Sequence, residues 1–177
     1  MYIDTISMYS FFVADRDRDD SPTPGFLVWR LSMKWRVAVD RAVADLGLTH
    51  AQYSLLASLY GMERGGHTPS QRALADHTGL EAIYVSKLAR ALEHSGLITR
   101  RGDPTDTRAV QLALTEHGRD VVRQAIRAVH DLLERLTEPL GGLGSARTQT
   151  LTSELRALLA ADPSDITQTA GNQGDRR

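Results

Sequence analysis

The stretch that decides the fold is Ser70–Leu114, SQRALADHTGLEAIYVSKLARALEHSGLITRRGDPTDTRAVQLAL. Ser70 is a helix-capping residue type, Ala73, Leu74 and Ala75 give the next turns an apolar side, and Gly79 supplies a stop that tolerates positive φ. After a tight turn, Val85, Leu88, Ala89 and Leu92 recur at i, i+3, i+4 and i+7, which is one face of a second helix. Its opposite face then carries Ile83, Lys87, Arg90 and His94, flanked by Ser86 and Tyr84. His94-Ser95-Gly96-Leu97 reads as a glycine C-cap closed by an apolar residue. Two strand-like runs follow, Ile98–Arg101 and Ala109–Leu114, joined by the turn-rich Gly102–Arg108. Two short helices and a hairpin with a charged tip predict a winged helix-turn-helix, which lays its second helix in the major groove of duplex DNA.

Outward from that stretch, the chain predicts long helices on both sides. Val28, Leu31, Trp35, Val39, Ala42 and Leu46 keep a three-or-four spacing over 25–46, and Gly47 supplies the stop. Thr49-His50-Ala51-Gln52 is a capping box that opens a helix through Leu55, Leu56, Leu59 and Tyr60, ended by Gly61, Gly65 and Gly66. His67-Thr68-Pro69 is placed to add a short strand to the wing. Beyond Thr115, Val122, Ile126, Val129, Leu133, Leu136 and Leu140 form a seven-residue apolar repeat, with Val121, Ala125 and Leu132 as a second apolar edge. A last helix over 145–160 offers Leu151, Leu155, Leu158 and Leu159. One winged helix cannot cover all these stripes, so a second copy of the chain is expected.

The 177 residues suit one compact unit with extensions, and 41% hydrophobic content suffices for a core. No apolar run is long enough to span a membrane, and the N-terminus lacks the pattern of a secretory signal, so a cytoplasmic protein is expected. With no cysteine, disulfides and thiolate metal sites are excluded. The net charge of −1 does not advertise nucleic-acid binding, but its distribution matters more than its sum. Residues 1–25 set Asp4, Asp15, Asp17, Asp19 and Asp20 against Arg16 and Arg18, whereas Ser70–Val110 carries a slight basic excess. Dimerisation doubles the phosphate contacts and offsets that weakness.

The wing and its exit, DPTDTRAVQLALTEHG, resemble the D-P-x-D-x-R…L-T-x-x-G signature of the MarR (multiple antibiotic resistance regulator) family. ALEHSGLITRR is similar to that family's recognition-helix end and first wing strand, and the likeness extends over about Gly25 to Ala160. The resemblance implies a mainly α fold with a small β-hairpin wing. It implies a winged helix-turn-helix over 49–114 and dimerisation helices over 25–48 and 115–160 that intertwine with a second subunit. Residues 1–24 then form a flexible acidic extension and 161–177 a disordered tail. It further implies a homodimeric transcriptional regulator on a roughly palindromic double-stranded operator, most simply a repressor released by a small aromatic or anionic ligand. No cofactor, membrane partner or enzymatic activity is implied.

Candidate DNA contacts follow from chemistry and position. Lys87 and Arg90 suit phosphate or guanine, and Arg101 and its neighbour Arg100 face phosphates or the solvent side of the wing. Ser86 suits a base edge or a phosphate. Ile83 meets either a thymine methyl or the preceding turn. Tyr84 stands where the family commonly has a small hydroxyl residue, so the family's base preference does not carry over. Ser70, Gln71 and Arg72 start the preceding helix, where side chains and free N–H groups hold the DNA backbone. Arg108 resembles the family arginine that enters the minor groove, with Asp106 orienting it; the plainer alternative is a surface Asp–Arg pair holding the hairpin.

The ligand input is less defined. Trp29, Arg30, His50 and Tyr53, with Trp35 and Tyr60 nearby in sequence, are candidate walls of an effector crevice. Two alternatives stay open: a metal-sensing repressor using His117, Asp120 and His130, and a winged helix that serves only protein interaction. No H-E-x-x-H pair, phosphate-cradling loop or nucleophile elbow supports catalysis.

Overall fold

The computed structural model describes residues 22–103 and 109–161. In chain order these form α1 (Pro24–Val43), a 3-10 turn (Ala44–Leu46), α2 (His50–Arg64), α3 (Gln71–Thr78) and α4 (Ala82–His94). Then come β1 (Ile98–Gly102), β2 (Val110–Leu114), α5 (Glu116–Thr137), a second 3-10 turn (Glu138–Leu140) and α6 (Ala146–Ala160). The fold is mainly α with one antiparallel hairpin, as the resemblance implied. The chain divides into two units, Met1–Val129 and His130–Arg177, with the division inside α5. Asp106, Arg108, the tail beyond Ala161 and most of the N-terminal extension lie outside the described residues.

Local chemistry starts and stops the helices. The Thr23 hydroxyl accepts from Phe26 N–H, and Pro24 sits in the first turn, where a missing N–H costs nothing. The capping box forms as expected: Thr49 Oγ1 accepts from Gln52 N–H at 3.3 Å, and Gln52 Oε1 accepts from Thr49 N–H at 2.9 Å. Ser70 Oγ accepts from Ala73 N–H, and α3 ends at Gly79, φ +68°. α4 closes in a Schellman motif, with Leu97 N–H donating to Leu92 O, Gly96 N–H to Glu93 O, and Gly96 at φ +69°.

The first unit's core is filled by one face of each element. Val39 and Val43 come from α1, Leu55, Leu56 and Leu59 from α2, Leu74 from α3, and Val85, Ala89 and Leu92 from α4. Leu112 of β2 and Val122 of α5 are equally enclosed. The hairpin pairs Ile98 with Leu114 and Arg100 with Leu112, so the inward residues of both strands share one side.

Three expectations change. Gly61 does not break α2, which continues to Arg64; a single glycine costs only about 1 kcal/mol, and the packed leucines before it hold the helix. Residues 67–69 form no third strand: a single bridge joins Ser70 to Gln111, and Leu112 N–H donates to Pro69 O at 3.0 Å. Proline has no N–H with which to extend the ladder. The stripe read along α1 is not one core face either. Val39 is buried, Trp35, Ala42 and Leu46 are half-buried, and Val28 and Leu31 stay exposed among the described residues.

In α5, Val121, Val122, Ala125 and Val129 are buried and Ile126 half-buried, so this part of the apolar repeat is core. In the second unit, Ser145 caps α6 by accepting from Thr148 N–H, and the buried Thr148 hydroxyl donates to Gly142 O at 2.8 Å. Leu133, Leu136 and Leu140 are half-buried there, while Leu151, Leu155, Leu158 and Leu159 are exposed.

Candidate nucleic-acid interface

α4 is two-sided. Val85, Leu88, Ala89 and Leu92 anchor one face in the core, which leaves Ile83, Lys87 and Arg90 on the exposed face. Ile83 is 79% exposed, so packing against the preceding turn does not explain it. Arg90 Nη2 donates to Ser86 Oγ at 3.1 Å, one turn back on the same helix, which holds the guanidinium along the helix surface. Lys87 is exposed beside it. Glu81 is the N-cap of α4 but makes no side-chain capping bond.

α3 presents Ser70, Gln71 and Arg72 beside this face. Together with Asp76, Leu80, Ala82 and Val110 they line a recess of about 720 Å³ between α3, the start of α4 and the wing. Arg72 is exposed, and Ser70 already caps α3. Gln71 is engaged: its amide oxygen, in the orientation that satisfies both partners, accepts from Arg100 Nε and Nη2, each at 3.2 Å.

The two arginines of β1 separate. Arg101 is exposed, as expected of a residue free to meet phosphate. Arg100 instead turns inward and also donates from Nη1 to Glu93 Oε2 at 3.2 Å. Its guanidinium therefore already has partners within the fold. The two-residue period of the strand carried the signal, since Arg100 shares a side with buried Ile98.

The base of the wing is held by groups that composition and periodicity did not single out. Thr115 Oγ1 accepts from Gly118 N–H at 2.9 Å and donates to Gly96 O at 2.7 Å, so it caps α5 and ties it to the end of α4. At Gly118 a Cβ would stand 1.9 Å from Leu97 O, so only glycine lets α5 pass that carbonyl. This gives the L-T-x-x-G motif a physical cause.

Among the described residues, the effector candidates His50 and Arg30 line different clefts. His50 lines a cleft of about 520 Å³ with Arg36, Asp40, Thr49, Ser54, Thr78 and Tyr84. Asp40 Oδ1 accepts from His50 N–H at 2.6 Å, which fixes the start of α2 against α1. Arg30 lines a separate groove along α1 with Leu27, Met33 and Val37, and lies 5.8 Å from the Phe26 ring centroid. Trp29 is exposed on α1, and Tyr53 is half-buried, where burial raises its phenol above the ordinary range. Arg36 and Tyr84 are cleft residues that the sequence reading did not assign to this role; a charged residue four before Asp40 was the available signal. Among the described residues, no group of three or more His, Cys, Asp or Glu is arranged to hold a metal ion. No helix among these residues is long and apolar enough to cross a membrane.

A helix-turn-helix with an outward basic face beside a two-stranded wing defines a winged-helix transcriptional regulator. A sequence model of the MarR family matches residues 48–110. The uncharacterized HTH-type transcriptional regulator YdcH of Bacillus subtilis (strain 168) is 38% identical over 110 residues, 62% of this chain and 75% of its own. The chain belongs to the MarR family, whose members are transcriptional regulators rather than enzymes. Solved structures agree. The S. aureus MepR–DNA complex superposes with a TM-score of 0.69 at 25% identity, covering 79% of this chain and 98% of that one. The transcriptional repressor CouR bound to a 23-mer DNA duplex gives 0.66 at 28% identity, covering 77% and 92%. CouR from Rhodococcus jostii RHA1 bound to p-coumaroyl-CoA gives 0.63 at 30% identity, covering 76% and 87%.

Proposed function

We propose that this regulator is a homodimeric repressor that reads a roughly palindromic operator through α4 and the wing, and that a small aromatic or anionic ligand releases it. The observation that carries the reading is the exposed face of α4, where Ile83 stands 79% exposed beside Lys87 and Arg90 on a helix rigidly seated in the core. Lys87, Arg90 and Arg101 supply cations for phosphate or guanine, Ile83 an apolar contact for a thymine methyl, and Ser86 a hydroxyl. Ser70, Gln71, Arg72 and Tyr84 flank that surface, and Asp106 and Arg108 join the contact set through the family signature that carries them.

Dimerisation is supported by apolar surface left open on each unit. On α1, Leu27, Val28, Leu31 and Val37 are each more than 40% exposed, and on α6, Leu158 and Leu159 are 66% and 86% exposed. Contiguous apolar surface of this kind marks an interaction site, and a second copy supplies a matching one. For the effector, the His50 cleft joins the α1–α2 corner to Tyr84 in the first turn of α4. An anion there meets Arg36 and His50, and an aromatic ring meets Tyr84. An occupant that favours one spacing of the recognition helices over another shifts the population away from the DNA-binding form. CouR, which has been solved both on DNA and with p-coumaroyl-CoA, is the similar protein that supports this pairing of inputs.

Enrichment of duplexes from a random pool by the full-length protein tests the reading, followed by sedimentation of the complex. Two chains per duplex on half-sites about one helical turn, ~34 Å, apart are expected. A screen of aromatic carboxylates then yields compounds that weaken the complex, with the effect reduced in Arg36→Ala. No enrichment over the starting pool would leave only an interaction module.

A further inference from the structure

Arg100 occupies a position where an arginine is not needed for solubility. It pairs across the hairpin with Leu112, which is fully buried, and its side chain is 23% exposed. From there the guanidinium reaches two other elements. With the Gln71 amide in the orientation that satisfies both groups, it donates to Gln71, the first residue of α3, through Nε and Nη2, and it donates to Glu93, in the last turn of α4, through Nη1. One planar group therefore joins the first wing strand to both helices of the helix-turn-helix. A guanidinium holds a fixed fork of donors, so a paired contact to one acceptor on α3 and a third bond to another on α4 set an angle as well as a distance.

We infer that Arg100 is a positioning residue that sets the wing against the recognition helix, and so controls discrimination between operators without touching DNA. The inference rests on the DNA-binding reading above. The wing and α4 address different parts of the duplex, so their relative angle decides whether both sets of contacts form on one site. A nonspecific duplex asks for phosphate contacts alone and tolerates a shifted wing. Loss of the Arg100 node therefore lowers the ratio of operator to nonspecific affinity. It leaves the salt dependence of binding unchanged, because no phosphate contact goes with it.

The experiment uses the full-length protein and the duplex it enriches from a random pool, with a scrambled duplex as the nonspecific probe. Wild type, Arg100→Lys and Glu93→Gln are titrated at several salt concentrations, and thermal melting reports folding. Arg100→Lys keeps the charge but loses the fork, and is expected to cut the specificity ratio at least fivefold with an unchanged salt slope. Glu93→Gln, an exposed and conservative change, is expected to lower the ratio in the same direction by a smaller factor and guards against a misfolded lysine variant.

A phosphate-contacting Arg100 gives another pattern. Lysine then preserves the ratio, Glu93→Gln raises affinity for both duplexes alike, and Arg100→Ala reduces the slope of log K against log salt by about 1.8 for a dimer. Either of the first two results in a wild-type protein that binds selectively overturns this proposal alone. A wild-type protein that enriches no duplex overturns the DNA-binding reading, and this proposal with it.

Discussion

Glu63 and Arg119 form an ion pair at 2.6 Å between the end of α2 and the first turn of α5, 56 residues apart in the chain. The other carboxylate oxygen of Glu63 accepts from Leu114 N–H at 2.7 Å, at the last residue of β2. One side chain thus fixes α2, the exit of the wing and the start of α5 together, at the place where the hairpin returns to the helices.

The two halves of this clamp have different weights, which sets an order among variants. Arg119 is 43% exposed, so its ion pair is screened and contributes at most about 1 kcal/mol. The Leu114 N–H is less replaceable, since a buried donor left without an acceptor costs about 1–3 kcal/mol. Glu63→Ala is expected to destabilise most, with Glu63→Gln and Arg119→Ala close to each other and milder. Urea unfolding midpoints check the order; equal losses for Glu63→Ala and Glu63→Gln would show that the ion pair alone matters.

Gly118 is predicted to tolerate no side chain. Its Cβ would lie 1.9 Å from Leu97 O and 2.8 Å from Leu97 C, and both obstacles are backbone that cannot rotate away. Gly118→Ala should cost at least about 2 kcal/mol by overpacking, despite alanine's better helix propensity. Gly61→Ala is the control, because nothing lies within 4 Å of its Cβ and its place is inside α2. Denaturant melts should show the first change destabilising and the second stabilising by up to about 1 kcal/mol.

Ile83 should separate stability from recognition. At 79% exposure, Ile83→Ser is expected to move stability by no more than about 0.5 kcal/mol. On the enriched operator it should reduce preference for thymine at one position per half-site by roughly fourfold, the equivalent of about 0.8 kcal/mol for one methyl contact. Competition between thymine- and uracil-containing duplexes reads that methyl directly, and an unchanged ratio would remove Ile83 from the contact surface.

Tyr53 carries a pH signature. Burial lifts its phenol above the ordinary 10.0, so the folded state keeps the proton longer than the unfolded state does. Below pH 10 both states are protonated and the residue adds no pH dependence. As pH rises past that value the unfolded state ionises first, and stability is lost with rising pH. The wild type should therefore lose more stability than Tyr53→Phe as the pH is raised above about 10. Parallel curves for the two proteins would contradict it.

Nearly everything set by neighbours in the chain was legible in the sequence. The caps at Thr49 and Ser70, the glycine closures at Gly79 and Gly96 and the buried stripe of α4 depend on spacings of seven residues or fewer. Such spacings decide hydrogen-bonded turns and helix faces before any tertiary contact forms. The wing signature and the order of helices added the family and its DNA-binding architecture.

Tertiary structure decided which side chains are spent on holding the fold and which remain for a partner. Arg100 and Arg101 are chemically the same in the sequence, and only pairing opposite buried Leu112 turns one inward to Gln71 and Glu93. Val28 and Val39 share one stripe on α1, yet among the described residues only the second is covered. Glu63 reads as an ordinary helix-surface acid until folding brings Leu114 and Arg119 to it. These differences rest on contacts between residues far apart in the chain, which no local periodicity encodes.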